Sequence, residues 1–165
     1  MTRSIGLGAL ILLMGCSTAP VSFHGVAPPG KDDAYDCAVA QLNILGYTIE
    51  DGNKDAGFVR GRKQTSGLGT QLLTGNAYHD ILTATAFDNP GTGQTNLRVV
   101  ASRVADHDIS ILGGLSDEQP AEGVETIAPS DSGKADARVL LAGCGVNNVV
   151  GPSQDQEQFV LEGVV

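Results

Sequence analysis

Residues 78–104 read "YHDILTATAFDNPGTGQTNLRVVASRV", and this stretch decides the class of fold. Tyr78 to Phe87 alternates along its length and is rich in Thr, Ile and aromatic residues, which suit a pleated, half-buried surface. Asp88 to Gln94, "DNPGTGQ", is turn chemistry, and Thr95 to Val104 is a second β-branched run. The spacing predicts a hairpin of two strands, 78–87 and 95–104, joined by a seven-residue loop. A strand that alternates in this way has one face to pack, so something apolar must lie against it.

The flanking sequence offers two helices for that purpose. On the N-terminal side, Asp32-Asp33 precede "AYDCAVAQLNILG", where Ala34, Cys37, Ala38, Leu42 and Leu45 fall at three- and four-residue steps. The acids suit a helix start and Gly46 suits its end, so a helix is predicted over 33–45. Two short strands, 47–51 and 57–64, are expected around the turn "DGNKD" (51–55). On the C-terminal side, Asp131 or Ser132 caps a second predicted helix over 131–142, with Ala135, Val139 and Ala142 on one face. Residues 65–77 and the acidic segment 105–131 read as loops, with a short strand at 109–112 and a weak one at 158–161. No internal repeat is visible. The expected fold is therefore α+β: a two-layer sandwich in which an antiparallel sheet of about four strands carries two helices on one face.

Composition narrows the functional classes. The chain has 165 residues and a net charge of −9, and its aromatic residues are few: three Tyr, four Phe and no Trp. That balance excludes a nucleic-acid partner, because displacing counterions from phosphates needs a cationic surface. It also leaves sugar- or base-stacking platforms thinly supplied.

The first residues point to export. Met1-Thr2-Arg3-Ser4 carries positive charge and no acid, and Ile5 to Met14 is an uncharged apolar run. At about 1.5 Å per residue such a run reaches only ~15 Å, half a bilayer core, which is the pattern of a signal peptide. Leu13-Met14-Gly15-Cys16 resembles the lipobox of bacterial lipoproteins: Leu13, Gly15 and Cys16 match the pattern, while Met14 is an unusual choice in the variable position. The resemblance implies cleavage after residue 15 and acylation of Cys16, with Ser17 favouring the periplasmic face of the outer membrane where two membranes exist. Two or three acyl chains hold a protein to a membrane without any spanning segment. Cleavage would remove one arginine and no acid, moving the net charge from −9 to −10. The chain then divides into a signal peptide (1–15), a lipidated N-terminus and flexible tether (16–31) and one α+β domain (32–165). With Cys16 acylated, Cys37 and Cys144 remain, and an oxidising compartment favours a disulfide between them if the two helices lie side by side.

The run from the helix 33–45 through "LGYTIEDGNKDAGFVRG" (45–61) resembles the small α-β-β-β domains of bacterial envelope lipoproteins, including helix-grip domains of accessory outer-membrane-assembly lipoproteins. That resemblance implies an interaction module, not an enzyme.

Few residues suggest chemistry. "SGLGTQLLTG" (66–75) lacks the Lys-Ser/Thr ending and the strand-to-helix setting of a phosphate loop. His79 beside Asp80, and Asp106-His107-Asp108, have the residue types of a metal or acid–base site but no ligand spacing, and read as exposed polar edges. A thiol nucleophile at Cys37 or Cys144 is disfavoured by the apolar stripe and the secreted context. Arg60 and Arg62 share one strand face, where they can receive an anionic partner or answer acids on neighbouring strands. No catalytic residue, metal ligand or cofactor is expected, and oligomeric state is not legible. The expected partners are the membrane, through lipid on Cys16, and another envelope protein. A binder of a small ligand or metal ion through 105–131 is the second reading, and an envelope hydrolase the third.

Overall fold

The computed structural model describes residues 20–67, 76–106 and 125–152. Their elements are β1 (Val21–Val26), α1 (Lys31–Ile44), β2 (Thr48–Asn53), β3 (Phe58–Gln64), β4 (Ala77–Asn89), β5 (Gln94–Asp106), β6 (Glu125–Ile127), α2 (Asp131–Gly143) and β7 (Asn147–Val150). The class is α+β as expected, with every strand pairing antiparallel. The strand number is not as expected. Among the described residues the sheet has seven strands, ordered β2-β3-β4-β5-β1-β7 with β6 also on β5, against the expected four or so.

The predicted hairpin is β4–β5, longer than its sequence pattern. Pairing runs from Ala77↔Asp106 to Asn89↔Gln94, so the strands take Asp88, Asn89 and Gln94 from the expected seven-residue loop. Pro90 to Gly93 alone make the turn, closed by the Gly93 N–H on the Asn89 carbonyl at 2.8 Å.

The three additional strands explain the difference. Val21–Val26 was expected in the flexible tether 16–31, yet it pairs with β5 from Val21↔Ala101 to Val26↔Asn96. Its prolines bracket the strand and do not interrupt it, and its partner is far away in sequence, so no local pattern announces it. Glu125–Ile127 continues the same edge of β5, opposite Arg103 to Ala105. Asn147–Val150 closes the sheet on β1. The predicted strand positions 109–112 and 158–161 lie outside the described residues.

Alternate strand residues build the core. Phe23, Val99, Ala84 and Val59 form one row across four strands. Leu82, Ala86, Leu97 and Ala101 flank it, and all of them share one buried cluster with Ala34, Ala38 and Leu42 of α1 and Ala137, Leu140 and Leu141 of α2. The α1 stripe is the one read from sequence. The α2 stripe is not: Ala135, Val139 and Ala142 are exposed, and the opposite side, ending at buried Cys144, faces the core. Both sides of α2 are apolar at helical spacing, and the side carrying two leucines removes more area from water.

Both helices end in the same way. Tyr47 N–H bonds the Leu42 carbonyl at 2.9 Å, and Val146 N–H bonds the Leu141 carbonyl at 3.0 Å. The intervening Gly46 and Gly145 take left-handed φ of 81° and 65°, a Schellman end that an L-residue would strain. Each helix then leads through a buried residue, Tyr47 or Val146, into an edge strand, β2 or β7. A helix–glycine–strand unit thus occurs twice, a structural correspondence that the sequence does not display as a repeat.

Cys37 and Cys144 are joined by a disulfide, with Cα atoms 5.7 Å apart and a sequence separation of 107. It binds the middle of α1 to the end of α2. No helix among the described residues is long and apolar enough to cross a membrane. Closing a loop of this length stabilises a fold by about 4–5 kcal/mol in the chain-entropy model. Replacing both cysteines by alanine is expected to remove about 2–5 kcal/mol of unfolding free energy. Urea denaturation of the oxidised protein and the double variant checks this, and coincident midpoints would show that the bridge carries no stability.

Candidate functional site

The rows of the helix-facing side change character toward one end of the sheet. Past the apolar rows, the next row across β3, β4 and β5 is Lys63, Asp80 and Arg103. Three charges in core phase need partners, since an uncompensated buried charge is costly. The first turns of α2 supply two of them.

Asp80 is the centre of this row and is 1% exposed. Its Oδ2 accepts hydrogen bonds from the hydroxyls of Ser130 and Ser132, the latter at 3.3 Å. Ser130 is also the α2 N-cap, its Oγ accepting from the Gly133 N–H at 3.0 Å. The expected caps, Asp131 and Ser132, are the neighbouring positions. A carboxylate beside a helix N-terminus is further favoured by the backbone dipole. Asp80 Oδ1 faces Arg103 Nε at 3.8 Å, and neither atom has a hydrogen-bond partner among the described residues. The Arg103 guanidinium also lies over the Tyr78 ring, 4.7 Å from its centroid.

Lys63 meets a different carboxylate, one on α2. Its Nζ donates to Asp136 Oδ2 at 2.9 Å, and the buried Tyr47 hydroxyl donates to the same oxygen at 3.2 Å. Burial, then the charges of Asp136 and Asp80, push the Tyr47 phenol well above its ordinary range, so it stays protonated. The row therefore reads as a polar latch between the sheet and the first turns of α2.

The other side of the sheet carries the predicted arginines. Arg60 and Arg62 both reach Glu50 on β2, each at 3.4 Å, and Arg62 also bonds Asp106. His79 joins this group, its Nε2 3.4 Å from Asp106 Oδ2. Burial, with the Arg62 guanidinium close by, pushes the imidazole below its ordinary value, although Asp106 and Glu50 pull the other way. Of the expected polar candidates the fold thus brings His79 and Asp106 together and sends Asp80 through to the opposite face. That follows from strand alternation. His107 and Asp108 lie outside the described residues, as do Cys16, most of 66–75, and 107–124 of the acidic segment. His24, expected in the tether, stands on β1 opposite Arg98. Among the described residues no group of three or more His, Cys, Asp or Glu side chains is disposed to hold a metal ion.

Sequence reading missed the Lys63–Asp80–Arg103 row. One signal was available: Asp80 is in phase with Leu82, Ala84 and Ala86, so its carboxylate had to enter the core side. No model of a known protein family matches the chain, and no curated protein sequence matches it.

Two outcomes follow from the two sides of the sheet. Asp80→Ala deprives both serines of their acceptor and leaves Arg103 without its counter-charge, and a loss of about 3 kcal/mol is expected. Glu50→Gln breaks only half-exposed pairs and should cost less than ~1 kcal/mol. Equal losses in denaturant titrations would contradict this ranking. For His79 the folded state binds a proton less readily than the unfolded chain. Its contribution is nil where both forms are neutral and becomes unfavourable as pH falls below the unfolded value of about 6.5. The melting temperature should drop between pH 7.5 and 5.5, and His79→Gln should flatten that drop. Parallel slopes for the two proteins would discount the histidine.

Proposed function

We propose that this chain is an exported lipoprotein, held at a membrane by acyl groups on Cys16, whose α+β domain is a non-catalytic interaction module for another envelope protein. The observation that carries the reading is the Cys37–Cys144 disulfide. Structural disulfides belong to oxidising compartments, and this one supports export independently of the leader sequence. The lipobox-like Leu13-Met14-Gly15-Cys16 supplies the anchor, and Ser17 favours the periplasmic face of an outer membrane in a two-membrane cell.

Arg60, Arg62, Lys63 and Arg103 each face a carboxylate, an arrangement that gives these charges a role within the fold. In the proposed two-layer arrangement the helices occupy one face of the sheet. The second face then meets the partner, with Arg98, His24 and half-exposed Phe87 among its exposed side chains.

Growth with labelled palmitate tests the anchor. The wild-type chain should take up label and sediment with membranes, whereas Cys16→Ser should lose the label and leave the membrane fraction or persist as precursor. An unlabelled wild-type protein ends the lipoprotein reading. Photo-crosslinkers at Phe87 and Arg98, activated in intact cells, should capture an envelope protein that the same probe at Ala135 on α2 does not.

A further inference from the structure

The helix-free face of the sheet carries a cation that the fold leaves unmatched. The other basic side chains of β3, β4 and β5 are answered: Arg60 and Arg62 by Glu50, Lys63 by Asp136, Arg103 by Asp80. Arg98 faces no carboxylate among the described residues. Its Nε donates to the Ser22 hydroxyl at 2.9 Å, and both Nη groups of this exposed guanidinium are without a partner among the described residues.

Register sets Arg98 in the middle of a row. Phe58, Thr85, Arg98, His24 and Val150 stand side by side across β3, β4, β5, β1 and β7. Directly opposed residues of neighbouring strands have Cβ atoms about 4.5–5.5 Å apart, so the exposed His24 is adjacent to Arg98. Neither adjoining row, at Thr83–Val100–Ser22 or at Phe87–Asn96–Val26, holds an acid. Arg98 also lies eight residues before Asp106 on β5, ~27 Å at about 3.4 Å per residue. The row thus belongs to the half of the sheet whose connections, 27–30, 54–57 and 90–93, are all described.

The chemistry of the row selects its occupant. A guanidinium edge pairs bidentately with a carboxylate or a phosphate. Phosphate sites gather further positive charge, from several cations or from free backbone N–H groups at a helix start or nest. Here β4, β5 and β1 each pair on both sides, which commits their N–H groups to the ladder, and one arginine is at hand. A single carboxylate is the matching charge. Phe58, Val26 and Val100 are half-buried and Val150 is exposed, so apolar side chains surround the cation. An arginine set among aromatic and aliphatic residues is the composition of an interface centre, where the surrounding contacts exclude water from the charge pair. The net charge of −9 works against a carboxylate elsewhere on the surface, so an unmatched arginine also fixes where such a partner docks.

We infer that Arg98, with the His24 imidazole beside it as a second donor, receives an aspartate or glutamate side chain of the envelope partner, on a segment that sets this acid among apolar residues. The inference rests on the proposed role of the helix-free face and adds the charge that the partner brings to it.

The test uses the full chain in intact cells, with a benzoyl-phenylalanine photo-crosslinker at Phe87, one row from Arg98. Capture is compared between the chain with Arg98 intact, Arg98→Gln and Arg98→Glu. Arg98 is exposed and bonds only Ser22, so both variants should keep the denaturation midpoint of the parent. Charge reversal should lower the yield of crosslinked partner at least about tenfold, and Arg98→Gln several-fold. Mass spectrometry of the crosslinked peptide identifies the neighbouring acid, and its replacement by arginine should restore capture by Arg98→Glu. Undiminished yield in both variants, or a captured peptide without Asp or Glu, overturns the carboxylate while leaving the interaction module standing. A product that closes within one chain, or an adduct with lipid, overturns it as well. No product from the chain with Arg98 intact refutes the interaction module, and the inference with it.

Discussion

The antiparallel pairing of Ala77–Asn89 with Gln94–Asp106 sets the register from which every other element takes its position. With both strands thirteen residues long, the hairpin outreaches every other strand described, and neither of its outer edges is left bare. On β4 the edge goes to β3 and then β2. On β5 it is shared end to end, β1 taking Asn96 to Ala101 and β6 taking Arg103 to Ala105. Because side chains alternate with a period of two, this one register determines which residues of five strands face the helices. A slip by one residue would send Leu82, Ala84, Leu97 and Val99 to the far side and bring Ile81, Thr83 and Arg98 under α1 and α2. The short Asn89–Gln94 turn, closed at Gly93, excludes that slip.

How much of this was legible follows from where each signal is carried. The β4–β5 hairpin and the α1 stripe are local patterns repeated over ten or more residues, and sequence reading recovers them. The disulfide was legible for a different reason: few thiols leave few pairings. β1 was missed because its six residues have meaning only beside β5, and nothing within "VSFHGV" distinguishes a buried strand from an extended linker. β6 and β7 have three and four residues, too few for any period to register. The α2 error is more instructive. Ala135, Val139 and Ala142 recur at helical spacing as well as Ala137, Leu140 and Leu141 do, and the choice falls to packing against a sheet that the helix itself does not encode.

The charged row has the same origin. Lys63, Asp80 and Arg103 occupy core phase by register, so the sheet presents charge where the apolar rows end. α2 begins at that row, with Ser130 and Ser132 on Asp80 and Asp136 on Lys63. The apolar face of α2 can slide along the sheet with modest penalty, but these hydrogen bonds have directions and lengths that fix where the helix starts. Hydrophobic burial supplies the bulk of the packing, and the polar row supplies the alignment.

The disulfide completes that alignment at the opposite end of α2. A core this rich in alanine (Ala34, Ala38, Ala84, Ala86, Ala101 and Ala137 are all buried) allows helix and sheet to approach closely but removes little apolar area per residue from water. Small side chains also define position poorly, because few bulky shapes interlock across the interface. Such an interface needs constraints of another kind, and α2 has one at each end: the Asp80 hydrogen bonds at its start and the covalent bond from Cys144 to Cys37 at its close. Between them the helix can neither shift along the sheet nor rotate its second apolar face, Ala135–Val139–Ala142, into the core. The rotational choice that sequence periodicity leaves open is thus made by two fixed points at the helix ends, and the leucines between them fill the space those points define.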